Sequence, residues 1–462
     1  MRKLVRILGV ILLGLCALLI IGTSRVDHTP YMDAGYFTEA VVLIDSLKDG
    51  LTAIRGPVEA GFAKVSISPG LNYPADDIEE GHFISVPLAG YGARKGEPAT
   101  GIHDSIFVKA VALKSNQTLV VFVTADMLIM PPNITDAVMV RLNESGLKRD
   151  QIFFSATHTH SGPGGWGSGL MGSAFAGKNN SNIEKWLVNQ ISEAILTAVD
   201  GLKPARIGSG QFDAGMFTRN RLTGELGTKN DQFSFVVAEQ MEAEKAILGS
   251  FSAHSTTLGA QNMNFSADYS GYWAGKTSEL TSGMALFFAG SMGSQSPSGE
   301  GRDFERARYI GEALADSTAA YYPGVVMSDS IIIAPMSLKI GLPEYHIRLT
   351  PGIGLSSFLS RKMMPYPGSV YLQVVRINNL VWITTPADFS GELALQIQNS
   401  LAAQGFDCMV TGFNGSYVGY IIPGKYFYID KYEPKTMGWF GPYMGDYTMD
   451  LIRQMYSAVI NL

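Results

Sequence analysis

The sequence is poor in the residues that most often staple a fold or hold a soft metal. Among 462 residues there are two cysteines and seven histidines. Cys16 lies in an N-terminal apolar run and Cys408 far down the chain, so no intramolecular disulfide is expected and no cysteine-rich metal motif exists. A transition metal in this protein has to be held by His, carboxylate or Tyr. Charge is sparse as well, at 16% of residues with a net charge of −6, which argues against nucleic acid as a partner. No GxSxG elbow is present, which ranks a Ser-His-Asp triad last among hydrolytic options. Internal repeats and low-complexity tracts are also missing.

What the chain does have is 46% hydrophobic residues, 51 Gly and 20 Tyr, which fits a large core with many strands and turns. Met1–Arg6 is basic and residues 7–23 are uncharged and nearly all apolar. That order predicts an uncleaved signal anchor over 1–24, with the basic end in the cytoplasm and the rest periplasmic or extracellular. A cleaved signal peptide is the alternative. Residues 25–59 read as a stalk followed by an amphipathic helix over Phe37–Ile54, and 60–462 as one catalytic domain. Within it the pattern predicts strands over 60–69, 106–113, 118–124, 151–155, 206–211, 233–239, 246–253, 284–289, 330–340, 370–377, 380–384 and 408–412. Helices over 133–142, 183–202, 304–321 and 391–404 interleave with them. The fold class expected is therefore mixed α/β, with its site at strand ends, preceded by a membrane-anchor helix.

Two of the seven histidines fall in one short motif, Phe154-Ser-Ala-Thr-His158-Thr-His160-Ser-Gly-Pro-Gly-Gly-Trp166. On an extended segment, side chains at i and i+2 point the same way, so His158 and His160 can face one pocket while the glycines turn the chain away. Other short apolar strands also end in polar residues. Gly249–Ala253 ends in His254, Leu380–Ala387 in Asp388, and Met409–Gly412 leads to Tyr417 and Tyr420. Leu286–Gly290 leads to Ser291, Ser294 and Ser296. Ligands in mixed α/β sheets bind at strand ends, and two imidazoles, a carboxylate and a phenol suit zinc with an open position.

Thr157–Gly165 resembles the signature of the neutral (alkaline, non-lysosomal) ceramidase family. Further matches follow in order over about residues 60 to 455: Gly90-Tyr-Gly92 with Gly101-Ile102, Asn220-Arg221, Phe251-Ser-Ala-His254, Ser266–Tyr272, Gly293-Ser-Gln-Ser-Pro297, Pro386-Ala-Asp-Phe389, Tyr417-Val-Gly-Tyr420 and Lys431-Tyr-Glu433. The resemblance implies a Zn2+ enzyme that cleaves the N-acyl amide of ceramide or another N-acyl lipid, working at a membrane. It implies His158, His254, Asp388 and Tyr420 as zinc ligands and Ser296 as nucleophile. His160, Arg221 and Tyr432 would line the site and contact the substrate. It also implies the catalytic part without the C-terminal β-sandwich domain of longer relatives.

The chemistry is coherent. Zinc polarises a carbonyl and lowers the pKa of a bound water or nearby hydroxyl, and Ser296 can then attack to form an acyl-enzyme. In the other option an activated water attacks and Ser296 only positions it. Four positions depart from the family pattern: Asp388 stands where glutamate is expected, Ser294 where aspartate is, Ser255 where proline is, and Leu222 where serine is. These departures keep two alternatives open, a catalytically altered lipid-binding envelope protein and a hydrolase of another N-acyl lipid or ester. Trp166, Met171, Phe175 and Trp439 are the apolar residues that favour a lipid substrate.

Overall fold

Thr118–Ala125 is apolar at almost every position, so a strand there needs cover on both faces. The computed structural model supplies it with four layers. It describes residues 2–241, 244–364 and 368–462, and the side chains of residues 2, 4, 5, 10–12 and 15–18 lie outside the description. The ten helices are α1 (Arg2–Gly22), α2 (Gly35–Lys48), α3 (Pro132–Leu142), α4 (Gly169–Ala176), α5 (Ser181–Asp200), α6 (Tyr269–Thr281), α7 (Asp303–Tyr321), α8 (Ser357–Met363), α9 (Gly391–Ala402) and α10 (Met444–Ile460) among the described residues.

The large sheet uses β1 (Gly56–Ser66), β2 (Phe107–Ser115), β3 (Thr118–Ala125), β4 (Ile152–Ala156), β5 (Lys203–Asp213), β6 (Gln232–Gln240), β7 (Lys245–Phe251) and β8 (Met284–Ala289). Their order is β8-β7-β6-β5-β1-β2-β3-β4, with Ser330–Ile331 added against β1. Only the outer pairs, β7 with β8 and β3 with β4, run parallel. A second sheet orders β9 (Ile333–Gly341), β10 (Ser369–Ile377), β11 (Leu380–Thr384) and β12 (Asp407–Thr411), the last pair parallel. The expected single strand over 330–340 thus divides between two sheets.

Period-two alternation sorts each strand's side chains. Val120 and Phe122 of β3, Leu286 and Phe288 of β8 and Trp382 of β11 fill the core between the sheets. Val121 and Val123 face α3 and α5, while Ala285 and Phe287 face α6 and α7. Val381 and Ile383 face the layer of α2, α9 and α10. The large sheet curls until its edge strand β8 lies against β3 and β4 at the other edge. There Lys109 Nζ donates to the Ala285 carbonyl (2.6 Å) and Thr124 Oγ1 to that of Phe287 (2.8 Å). This curl brings the C-terminal ends of β4, β7, β8, β11 and β12 together.

The mixed α/β expectation holds. The membrane anchor does not find support: α1 is helical, but among the described residues no helix is long and apolar enough to cross a membrane. Much of the apolar run behind that expectation falls on side chains outside the description. After α1, Thr23–Arg25 pairs with Ile353–Leu355. Helix α2 ends at Lys48, short of the expected Ile54, and buries Ala40 and Ile44.

Candidate active site

The chain leaves β4 and turns sharply at His158, whose φ of 58° is left-handed. The segment is therefore not extended, as the i, i+2 argument assumed. The two imidazoles still converge, with Nε2 atoms 3.4 Å apart and rings 4.9 Å apart edge to face. Room for His160 depends on Gly90, which has φ 124° and where an added Cβ would lie 2.6 Å from the His160 Cβ. The Gly90-Tyr91-Gly92 motif thus lines the back of the histidine, and the Tyr91 ring stands 4.7 Å from it.

His254 follows β7 and Asp388 follows β11. Gly293, in the turn after β8, passes so close beneath Asp388 that a Cβ would sit 2.3 Å from its carbonyl oxygen. His158, His254 and Asp388 are all buried. His158 Nδ1 donates to the Leu128 carbonyl (2.6 Å), and His254 Nδ1 to those of Met292 (2.7 Å) and Gln295 (3.1 Å). With the proton on Nδ1, each Nε2 presents a lone pair. Both lone pairs face one carboxylate oxygen: Asp388 Oδ1 is 3.4 Å from His158 Nε2 and 3.2 Å from His254 Nε2, and no donor is aligned on it. Three acceptor atoms crowded together repel one another unless a cation stands between them. Ligand atoms about 2.0–2.1 Å from a tetrahedral zinc lie roughly 3.3 Å from each other, so the spacing fits such an ion.

Supporting contacts orient the set. Tyr417 donates to Asp388 Oδ2 (2.7 Å). Tyr420 Oη lies 3.0 Å from His254 Nε2 and accepts from Arg221 Nη2 (2.8 Å). Arg221 Nε is 2.7 Å from the buried Glu433 carboxylate. Tyr432 stands at the rim, 44% exposed, with its ring 5.9 Å from that of Tyr420. His160 differs from the other two histidines, because its buried Nδ1 has no partner. His158, His160 and His254 can all supply a ligand atom within 4.8 Å of one another. Metal-bound histidines almost always donate the other ring N–H to a carbonyl or carboxylate, and of the three only His158 and His254 do so.

Electrostatics favour ligation. Burial lowers the pKa of His158 and His160, and burial with the nearby Arg221 guanidinium lowers His254 to about 4, so all three imidazoles are neutral. Burial raises the Asp388 carboxyl, and the hydrogen bond from the Tyr417 hydroxyl is among the contacts that leave its pKa below the usual value. Burial and Asp388 push the Tyr420 phenol well up. Burial would lower Arg221, yet Tyr420, Glu433 and Asp388 more than reverse this.

The serines after β8 separate by their partners. Ser291 Oγ meets Ser252 Oγ (2.9 Å) and Asn230 Nδ2 (3.1 Å). Ser294 Oγ accepts from Gly391 N (3.1 Å) at the start of α9. Ser296 is half-buried in the short strand Gln295–Pro297, which pairs with Thr218–Asn220. Its neighbour Gln295 supplies a carbonyl to His254. Tyr417 and Glu433 were in the quoted motifs but carried no assigned role, and their partners lie far along the chain. Trp166 and Trp439, read as lipid-facing, are buried in the two cores.

A second buried polar group lies behind the first. A cavity of about 630 Å3 is lined by Lys64, Asp104, Lys109, Asp126 and Thr157, the residue before His158. Burial raises Asp126 to about 6 and lowers Lys109 to about 8.

These features define a mixed α/β protein with a histidine–carboxylate centre where strand ends from both sheets meet. The same fold occurs in a neutral ceramidase from Pseudomonas aeruginosa, at 20% identity and TM-score 0.71, over 88% of this chain and 75% of that one. A ceramidase complexed with C2 matches at 19% identity, with the same TM-score and coverage. Residues 75–287 match the family model of the neutral/alkaline non-lysosomal ceramidases, N-terminal. The family resemblance read from the sequence is thereby borne out.

Proposed function

We propose that the protein is a zinc-dependent amidohydrolase that splits the N-acyl amide of ceramide-like lipids into a fatty acid and a sphingoid base. The observation that carries this reading is the convergence of two Nε2 lone pairs on a carboxylate oxygen that has no aligned donor. His158, His254, Asp388 and Tyr420 would hold the ion. When bound, zinc supplies Lewis acidity at the amide carbonyl and lowers the pKa of a neighbouring hydroxyl. The chain's own residues do the rest. Arg221, charged and fixed by Glu433, directs a guanidinium at the same point and favours negative charge on the carbonyl oxygen. Neutral His160, with a partnerless Nδ1, is available to take or hold a proton. Ser296 is the proposed nucleophile. Its oxygen bonds to the carbonyl carbon, the C–N bond breaks, the amine leaves with a proton, and water then releases the fatty acid. Gly293 lets the turn after β8 close up beneath the Asp388 backbone.

The test is fatty-acid release from ceramide and a panel of other N-acyl lipids, with and without chelator, beside zinc content of the purified protein. About one zinc per chain and chelator-sensitive release are expected. Release without zinc would defeat the metal assignment, and no release from any N-acyl lipid by zinc-loaded protein would defeat the substrate class.

A further inference from the structure

We propose that the face formed by α4, α8 and the hairpin Arg348–Leu355 docks on a phospholipid bilayer that carries anionic headgroups. The inference rests on the lipid-substrate reading above and adds the surface through which the substrate arrives. Helices α4 and α8 pack side by side. They and the hairpin leave large apolar side chains in water: Leu170 is 69% exposed, Phe358 64%, Leu349 48% and Ile353 45%. The last turn of α1 joins them. Gly22 accepts from Ser356 N (2.9 Å), Thr23–Arg25 pairs with Ile353–Leu355, and Ile20 and Ile21 are exposed beside that junction. Large apolar side chains exposed together on neighbouring elements mark an interaction surface.

Charge selects the partner. Lys95 and Lys178 line a hollow of about 620 Å3 beside Leu170. Arg361 and Lys362 close the last turn of α8, and Arg25 is exposed on the paired strand. On the acidic side, Glu97 lies near Lys95, and Glu344 is already bonded to Ser357 Oγ (2.6 Å). Apolar tips within a basic fringe suit insertion at the headgroup boundary of an anionic membrane.

The face is also tied to both walls of the centre. The Phe175 carbonyl of α4 accepts from Gly90 N (2.8 Å), and Gly90 packs on His160. On the other side Arg348 donates to the carbonyls of Phe427 (2.6 Å) and Pro434. This holds the turn that carries Tyr432 at the rim and Glu433 against Arg221.

The experiment is flotation of the full chain with phosphatidylcholine vesicles, with and without phosphatidylserine. Wild type should bind more strongly when phosphatidylserine is present, and added salt should remove that increment. L170D/F358D should bind both vesicles at least about tenfold more weakly, and K95E/K178E should lose only the phosphatidylserine increment. Zinc content and hydrolysis of a dispersed, water-soluble short-chain amide should stay at wild-type level in both variants. Should L170D/F358D fail to fold, L170S/F358S carries the same expectation with a smaller loss. Wild-type flotation by the substituted proteins, or no flotation by wild type, overturns the proposal. Failure of the hydrolase reading has a different signature, intact flotation with no fatty-acid release.

Discussion

Two groups of buried ionisable residues lie back to back across Thr157 and His158, and they are built on opposite plans. In the cavity group, Lys109 donates to a main-chain carbonyl and Asp126 accepts from Phe107 N (2.8 Å), so each charge has a fixed partner of its own. In the histidine group the outer nitrogens of His158 and His254 are saturated by carbonyls, and their inner nitrogens converge on Asp388 Oδ1, with Tyr420 Oη and Arg221 Nη2 as the neighbouring donors to His254. Burial and shifted pKa values are common to both. What distinguishes the histidine group is the surplus of lone pairs around Asp388 Oδ1, which an added cation would complete.

The sharpest way to break this comparison is to remove a lone pair. His254→Ala and Asp388→Ala should each abolish zinc retention and lower turnover by at least about three powers of ten, while Asp126→Asn should keep its zinc. Metal analysis on all three variants decides it, and stoichiometric zinc in His254→Ala would dissolve the distinction. Ser296→Ala comes next. It should keep zinc and melting temperature but lose several powers of ten in kcat, on the order of 5 kcal/mol of barrier. Ser294→Ala should lose far less turnover and instead lower stability by about 1 kcal/mol, since it removes the acceptor for Gly391 N. Near-normal kcat in Ser296→Ala would move the attack to water.

Glu433→Gln should lower kcat by roughly tenfold without releasing zinc, because it loosens the guanidinium and not the ligands. An unchanged kcat would show that Tyr420 alone holds Arg221.

A further effect is confined to stability and leaves turnover untouched. Asp126 has a folded pKa of about 6 against an ordinary 3.8, so the native state binds its proton more tightly than the unfolded chain does. Its contribution is complete below pH 3.8 and lost as pH rises through 6. Asp126→Asn should therefore gain on wild type between about pH 4 and pH 6, by up to about 3 kcal/mol, and run parallel outside that window. Denaturant midpoints across the range test this, and a gain on falling pH would reverse the assigned cause.

Much of the layer pattern was legible because strands such as Thr118–Ala125 and Leu380–Thr384 are apolar on both faces and short. The polar residues at strand ends were legible for the same reason, as interruptions of those runs. The curl of the large sheet was not, since it depends on Lys109 and Thr124 reaching the backbone of a strand far along the chain. Nor was the left-handed turn at His158, which nothing in the side chain of histidine requires. The strand-end pattern alone treats Tyr417 and Tyr420 as equals, and only the family resemblance singles out Tyr420. Their different partners, Asp388 Oδ2 for one and Arg221 with His254 for the other, exist only once β11 and β12 lie side by side.

The parallel bridge between Asp388–Phe389 and Tyr420–Ile421 sets the late carboxylate and phenol side by side, facing a pair of histidines supplied much earlier in the chain. A polypeptide emerging from the ribosome therefore displays His158 and His254 long before the carboxylate and phenol exist to complete the set. On the proposed zinc reading, the cation could not be captured by the full set until nearly all of the chain had been made and both sheets had closed, so metal loading would act as a late checkpoint on synthesis rather than a nucleus for it.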